Sequence, residues 1–127
     1  DALLRKYPNL YIDTAARVPE IGRHPASVMR RFFETHQRRI LFGTDFGVGT
    51  RPGDVMLGST GATLPTQAEF DLFFAATWRY FETADVSFAS PTPIQGDWTI
   101  SGIALSAEVL RRVYGENAAR VLGIQTP

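Results

Sequence analysis

An aspartate just behind an apolar run is the first candidate for chemistry in this sequence. In RILFGTDFGVG (residues 39–49), the apolar run 40–42 ends at Gly43, and Asp45 follows two residues later. A carboxylate at the end of a buried strand must be solvated, used as a helix cap, paired with a cation or bound to a metal ion. The alternative to a functional role is a turn residue, which is how most loop aspartates act. No helix pattern follows Asp45 at once, so it is the leading candidate for a catalytic residue.

A cationic side chain follows the preceding predicted strand. Arg17 lies three residues after Thr14 and is the nearest candidate for binding an anionic substrate. The alternatives are a surface arginine or an ion pair with Glu20. Asp13 either lines the same site or bonds to a neighbouring backbone amide.

Histidine and cysteine predict no metal site within the chain. No cysteine occurs, which excludes disulfides and thiolate ligands. His24 and His36 are the only histidines, and neither H-x-H nor H-E-x-x-H is present. We predict that both lie on the surface, with His36 at a helix C-terminus, where the helix dipole favours a cation. The chain alone therefore cannot build a metal site from histidine.

Two sequence motifs are superficially present and fail on their context. The triplet DFG at residues 45–47 lacks the H-R-D loop, the paired lysine and the A-P-E segment of protein kinases. The glycines around it fit neither G-x-G-x-x-G nor G-x-x-x-x-G-K-[ST], so turn geometry explains them better.

The first 42 residues predict a β-α-β unit that would position these side chains. A short helix at residues 2–6 and a Pro-Asn turn precede an apolar strand at 10–12, and residues 18–25 form a loop. Apolar residues at helical spacing predict a helix over 27–37, followed by the second strand at 40–42. Such a unit implies two parallel strands whose carboxyl ends share one edge, where α/β folds carry their chemistry.

The remaining chain predicts helices separated by irregular segments. Residues 46–65 contain five glycines and two prolines and form a long loop. A capping box, Thr66-x-x-Glu69, opens a helix with one aromatic face. After an irregular stretch at 87–105, a last helical region begins at Ser106, and Gly115 breaks it. The aromatic residues predicted to pack the long helix on the sheet are Phe70, Phe73, Phe74, Trp78 and Phe81.

Composition narrows the classes of partner. The chain has 127 residues with 13 basic and 13 acidic side chains, a balance that argues against a nucleic-acid surface. No apolar run approaches the roughly 20 residues needed to cross a bilayer, and no signal peptide is apparent. We therefore expect a cytoplasmic protein that acts on a small molecule, without nucleic-acid or membrane partners, and a homo-oligomer is possible.

Three segments in the same order resemble a known family. KYPNLYIDTAAR, RRILFGTDF and VYGENAARVLG are similar to the C-terminal part of the amidohydrolase-related enzymes, which belong to the metal-dependent hydrolase superfamily. The resemblance implies an α/β chain that forms the C-terminal fragment of a (β/α)8 TIM barrel, with strands seven and eight followed by C-terminal helices. Residues 1–127 would be a single partial domain, with the remainder of its own barrel as partner.

The same resemblance implies the chemistry. Asp45 would match the aspartate that ligates a divalent metal, commonly zinc, and shuttles the proton of the attacking water in hydrolysis of a C–N or C–O bond. The histidine ligands of the family have no counterpart here. Some relatives carry out non-oxidative decarboxylation instead, and Arg17 would suit their anionic substrates.

Two further expectations concern the isolated chain. We expect the 127 residues alone to be inactive and to expose sheet edges on both sides of the parallel pair. A hypothesis of another class is a non-catalytic α/β module that binds a ligand or partner and never held a metal.

Overall fold

The computed structural model describes residues 1–51, 55–57, 64–91 and 98–124. Within them the chain is a mixed α/β protein with three two-stranded sheets and no closed barrel. In chain order the elements are α1 (Ala2–Lys6), β1 (Ile12–Asp13), α2 (Val18–Ile21), α3 (Ala26–His36), β2 (Ile40–Leu41), β3 (Phe46–Val48), β4 (Val55–Leu57), α4 (Gln67–Glu82), β5 (Phe88–Ala89), β6 (Thr99–Ile100), α5 (Ala107–Arg111), a π-helix (Arg112–Glu116) and α6 (Asn117–Leu122).

The predicted β-α-β unit is confirmed. Strands β1 and β2 pair in parallel, with Ile12 opposite Ile40 and Asp13 opposite Leu41. Helix α3 forms the crossover and buries Met29 and Phe33 against the core. The prediction of a loop at residues 18–25 is wrong in part, because this segment contains α2. The first turn of α2 accommodates a proline without losing a hydrogen bond.

The Gly-rich stretch after Asp45 is not simply a loop. Strand β3 begins at Phe46 and pairs antiparallel with β4, and Gly47 lies opposite Met56. The prediction failed because the strand is short and its partner lies several residues away along the chain. The rest of the predicted loop at 52–54 and 58–63 lies outside the described residues. Strands β5 and β6 form a second hairpin in the stretch 87–105, whose residues 92–97 are also outside the described ranges.

Helix α4 begins with the predicted capping box. The Thr66 hydroxyl accepts a hydrogen bond from the Glu69 amide, and the Glu69 carboxylate accepts one from the Thr66 amide at 2.7 Å. The Glu69 carboxylate also accepts a 2.8 Å hydrogen bond from the Thr66 hydroxyl, and the bonds from the Thr66 amide and hydroxyl hold the pKa of Glu69 below its usual range. Of the predicted aromatic face, Phe73 and Phe81 are buried, whereas Trp78 is 36% exposed.

The C-terminal helices run on without the break predicted at Gly115. Helix α5, the π-helix and α6 follow one another directly, and Gly115 lies within the π-helix. The continuation is stabilised by contacts with β2, because Val113 is fully buried and its carbonyl oxygen accepts a 3.0 Å hydrogen bond from the Phe42 amide. The φ of Gly115 is not positive, so this residue does not adopt the left-handed conformation that commonly ends a helix.

One side of the parallel pair is covered. Residues 39 and 41 direct their carbonyl groups toward β1, so residues 40 and 42 direct theirs to the opposite side. There the Ile40 carbonyl oxygen accepts from Asn117 Nδ2, and the Phe42 amide donates to Val113. The expectation of exposed edges on both sides is therefore wrong for β2.

The core lies between the parallel pair, α3, α4 and the C-terminal helices. Its most buried members include Phe33, Ile40, Tyr80, Phe81, Ile100, Ile103 and Val113. Phe81 links the layers, because its ring packs edge-on against Phe33 and Phe42. None of the helices in the described ranges combines the length and apolar character that a membrane span requires.

Candidate active site at the strand ends

The carboxyl ends of β1 and β2 meet at one edge, as predicted, and a threonine joins them. The Thr14 hydroxyl donates a 2.9 Å hydrogen bond to the Gly43 carbonyl oxygen and accepts a 3.0 Å hydrogen bond from the Gly43 amide. Thr14 is 3% exposed, so these bonds are shielded from water. This role of Thr14 was not predicted, although a polar residue at the end of a buried strand was the available signal.

Asp45 lies two residues beyond this contact, in a left-handed backbone conformation. Its φ is 60°, a region that aspartate adopts more readily than most residues. The Thr44 hydroxyl accepts a 3.2 Å hydrogen bond from the Phe46 amide and so spans Asp45. The residue is exposed, and among the described residues nothing forms a hydrogen bond or an ion pair with its carboxylate. Asp45 therefore presents a charged group on a main chain that is held on both sides.

Arg17 lies on the same edge but does not contact Asp45. The Arg17 amide donates a 3.0 Å hydrogen bond to the Thr14 carbonyl oxygen in a turn where Ala16 has φ 52°. The guanidinium is exposed and lies 4.0 Å from the Glu20 carboxylate, an ion pair of the kind that the sequence left open. Arg17 also lines a narrow crevice together with Gly43 and Thr44. The geometry leaves the guanidinium accessible to a further anion.

Asp13 acts on its own backbone. Its carboxylate accepts a 2.9 Å hydrogen bond from the Ala15 amide, which supports the turn after β1. The side chain is exposed and also borders a concave surface that Arg17, His24 and Ile40 line as well. Of the two alternatives for Asp13, the backbone bond is therefore present.

The two histidines differ from each other. His24 is exposed, as predicted, whereas His36 is 4% exposed, so its predicted surface position is wrong. The His36 ring is covered by Phe32, and its Nε2 lies 2.7 Å from an Asp1 carboxylate oxygen. Burial first, and then the neighbouring guanidinium of Arg39, lower the pKa of His36. His36 precedes β2, so it lies at the end of the sheet opposite Asp45.

The donor chemistry of this edge fits one ligand of a divalent metal. Asp45 offers an exposed carboxylate, which is a suitable oxygen donor for zinc or other divalent ions. Within residues 1–51, 55–57, 64–91 and 98–124, no three His, Asp or Glu side chains converge into a metal site. A complete set of ligands would therefore need residues from outside the described ones.

An aromatic cluster borders the strand ends and was not predicted as part of the site. Phe46, the residue after Asp45, packs edge-on against Phe70 at 5.4 Å and Phe74 at 6.2 Å between ring centroids. Phe46 is 38% exposed. Hairpin β3–β4 and helix α4 thus place an accessible apolar surface next to the candidate carboxylate.

The C-terminal motif N-A-x-R has a structural role. Asn117 is 1% exposed and donates from Nδ2 to the carbonyl oxygens of Gln37 at 2.7 Å and Ile40 at 2.8 Å. Arg120 donates to the Arg38 carbonyl oxygen and, at 3.2 Å, to Asn117 Oδ1. The two side chains bind the last helix to the segment that leads into β2. They therefore fix the start of β2, the strand that leads to Asp45.

Comparison with known proteins gives a match to one family model. No curated protein and no solved structure matches the chain significantly. A family model described as amidohydrolase matches residues 2–124, a range that includes both strand ends and the Asn117 motif. Because the match extends over nearly the whole sequence, the chain belongs to the amidohydrolase family.

Proposed function

We propose that the protein is a metal-dependent hydrolase that cleaves a C–N or C–O bond in a small molecule, with Asp45 as its catalytic carboxylate and as one metal ligand. The observation that carries the proposal is the exposed carboxylate of Asp45 on a fixed main chain beyond a parallel strand. Ligands in α/β folds bind at the carboxyl ends of such strands. Family membership supports the same reaction class.

In this proposal Asp45 moves a proton. The carboxylate accepts a proton from the attacking water while the water oxygen bonds to the substrate's electrophilic carbon. It then returns that proton to the leaving nitrogen or oxygen as the C–N or C–O bond breaks. A divalent metal, for which we propose zinc, lowers the pKa of bound water toward about 7 when it is present.

In the proposed enzyme these residues belong to a larger domain. Strands β1 and β2 would be strands seven and eight of a (β/α)8 barrel, and residues 1–127 a partial domain completed by further strands of the same protein. Histidine ligands would come from that remainder. The parallel pairing and the crossover through α3 support this assignment.

A second candidate reaction is non-oxidative decarboxylation, and Arg17 favours it. The exposed guanidinium beside the crevice suits a substrate carboxylate. In that reaction Asp45 first takes a proton from solvent; the C–C bond to the substrate carboxylate then breaks, carbon dioxide leaves, and the electron pair on carbon takes that proton from Asp45. Release of carbon dioxide, rather than of an amine or alcohol, distinguishes the two reactions.

The test is zinc affinity of the protein in its longest natural form, beside Asp45→Asn and Asp13→Asn. Asp13 is the matched control, since it is an exposed aspartate on the neighbouring strand whose backbone hydrogen bond asparagine can keep. We expect about one zinc per chain, a loss of at least about tenfold in affinity for Asp45→Asn, and wild-type affinity for Asp13→Asn. Absence of zinc binding in all three proteins would support the non-catalytic module instead.

A further inference from the structure

The Thr14 side chain bonds the main chain of Gly43 in place of a β1 backbone group. The amides of Ile12 and Thr14 donate to the carbonyl oxygens of residues 39 and 41 at 3.0 and 3.1 Å. Main-chain groups of alternate residues point the same way, so those of Gly43 also face β1. The chain after β1 has already entered a turn at this point. The Thr14 hydroxyl therefore forms hydrogen bonds with both the amide and the carbonyl group of Gly43.

The hydroxyl suits this task because it can donate and accept at once. Its proton goes to the Gly43 carbonyl oxygen, and its lone pair receives the Gly43 amide. A Cβ at Gly43 would lie 3.3 Å from the Ala15 Cβ, a close contact that would need a shift of a few tenths of an ångström. The turn after β1 and the end of β2 are therefore in close contact around Thr14.

The same residue reaches both candidate site residues. On one side, its carbonyl oxygen accepts from the Arg17 amide and closes the turn that presents the guanidinium. On the other side, the Thr14 hydroxyl bonds Gly43. Asp45 follows two residues later and is spanned by the Thr44–Phe46 hydrogen bond. Thr14 itself is 3% exposed, and both hydrogen bonds of its hydroxyl go to Gly43.

We infer that Thr14 is a positioning residue that fixes the main chain of Asp45 through the two hydrogen bonds to Gly43. The inference rests on the proposed function, in which Asp45 binds a metal and moves a proton and so needs a fixed position. Loss of the hydroxyl leaves two main-chain groups of Gly43 without their partner and frees the backbone leading to Asp45. Supporting groups of this kind typically change metal affinity by about 10- to 100-fold.

The experiment compares Thr14→Val, Thr14→Ser and Thr83→Val in the longest natural form of the protein. Thr83 is the matched control, because its hydroxyl also donates to one main-chain group and accepts from another, at the end of α4. Two quantities are measured: amide hydrogen exchange at Gly43 without metal, and affinity for zinc alone. Asp45→Asn is measured beside them.

We expect Thr14→Val to exchange the Gly43 amide at least about tenfold faster and to bind zinc about tenfold more weakly. Thr14→Ser should restore both to within about threefold, and Thr83→Val should leave both unchanged. If Thr14→Val does not fold, Gly43→Ala provides a second variant, since a Cβ 3.3 Å from the Ala15 Cβ requires the two strand ends to shift and should weaken zinc binding as well.

The possible failures are distinguishable. Wild-type zinc affinity in Thr14→Val, together with weak binding in Asp45→Asn, overturns the positioning role and leaves the proposed function standing. Equal loss in Thr14→Ser and Thr14→Val also overturns it, because the hydroxyl would then not be the cause. Full zinc affinity in Asp45→Asn overturns the proposed function and this inference with it.

Discussion

The side-chain amide of Asn117 donates a 2.8 Å hydrogen bond to the carbonyl oxygen of Ile40, 77 positions earlier in the chain. This contact lies on the side of β2 that faces away from β1. Together with the Phe42–Val113 hydrogen bond, it gives the strand a partner on each side. The strand that leads to Asp45 is thus held by a helix at the far end of the sequence.

Replacement of Asn117 by aspartate should destabilise the fold. The carboxylate cannot donate to the carbonyl oxygens of Gln37 and Ile40, and it would be buried beside them. We expect a loss of about 2 kcal/mol in the free energy of unfolding, measured by urea denaturation. Asn9→Asp is the control, since Asn9 is exposed in a turn where aspartate is tolerated. Equal stability of the two variants would contradict the assigned role.

Alanine at two glycines should have opposite effects. Gly115 lies in the π-helix with open space where a Cβ would project, so Gly115→Ala should stabilise the protein by about 0.5–1 kcal/mol through reduced chain entropy. At Gly102 a Cβ would lie 2.2 Å from the Thr83 carbonyl oxygen, and Gly102→Ala should cost more than about 2 kcal/mol. Thermal unfolding measures both. Destabilisation by Gly115→Ala would mean that the helix needs the glycine.

Loss of the Thr66 cap should affect α4 and the titration of Glu69 together. Thr66→Ala removes a hydroxyl that bonds the Glu69 amide and carboxylate, and should cost about 1 kcal/mol. The pKa of Glu69 should rise toward its ordinary value of 4.5, because the hydroxyl helps to lower it. Chemical-shift titration and urea denaturation follow the two effects. Thr66→Ser keeps the hydroxyl and should resemble the wild type in both.

Acid should destabilise the protein through His36. Its pKa in the folded protein lies below the ordinary value of 6.5, so the unfolded chain binds a proton first as the pH falls. Stability is therefore lost below about pH 6.5, until the pH reaches the folded pKa, with a slope of up to about 1.4 kcal/mol per pH unit. Unfolding free energies from pH 4.5 to 8 should show a shallower slope in His36→Gln. His24→Gln, at an exposed ring, should keep the wild-type slope.

Arg17→Ala should weaken anion binding with little effect on stability. Its only described ion pair, at 4.0 Å to Glu20, is exposed and should contribute less than about 0.5 kcal/mol. Acetate affinity, measured by calorimetry on the longest natural form, should fall about tenfold if the guanidinium holds a carboxylate. Glu20→Gln removes the competing carboxylate and should leave acetate affinity equal or higher. Unchanged binding in Arg17→Ala would argue against the decarboxylation candidate.

Local patterns in the sequence determined a large part of this protein. Continuous apolar runs and a helical period between them predicted the parallel pair, because such patterns act within a few residues. The capping box of Thr66 and Glu69 was readable for the same reason. The position of Asp45 behind a strand and the three family segments likewise follow from residues that are adjacent in the chain.

Only the tertiary structure decided the remaining features. The burial of His36 depends on Asp1 and Phe32, and the continuity of the helix through Gly115 accompanies the contact of Val113 with Phe42. The hydrogen bonds of Thr14 to Gly43 and of Asn117 to Ile40 join residues 29 and 77 positions apart. Neither pair can be predicted from hydrophobic periodicity or from capping motifs. Each forms only when folding brings distant main-chain groups within reach of one side chain.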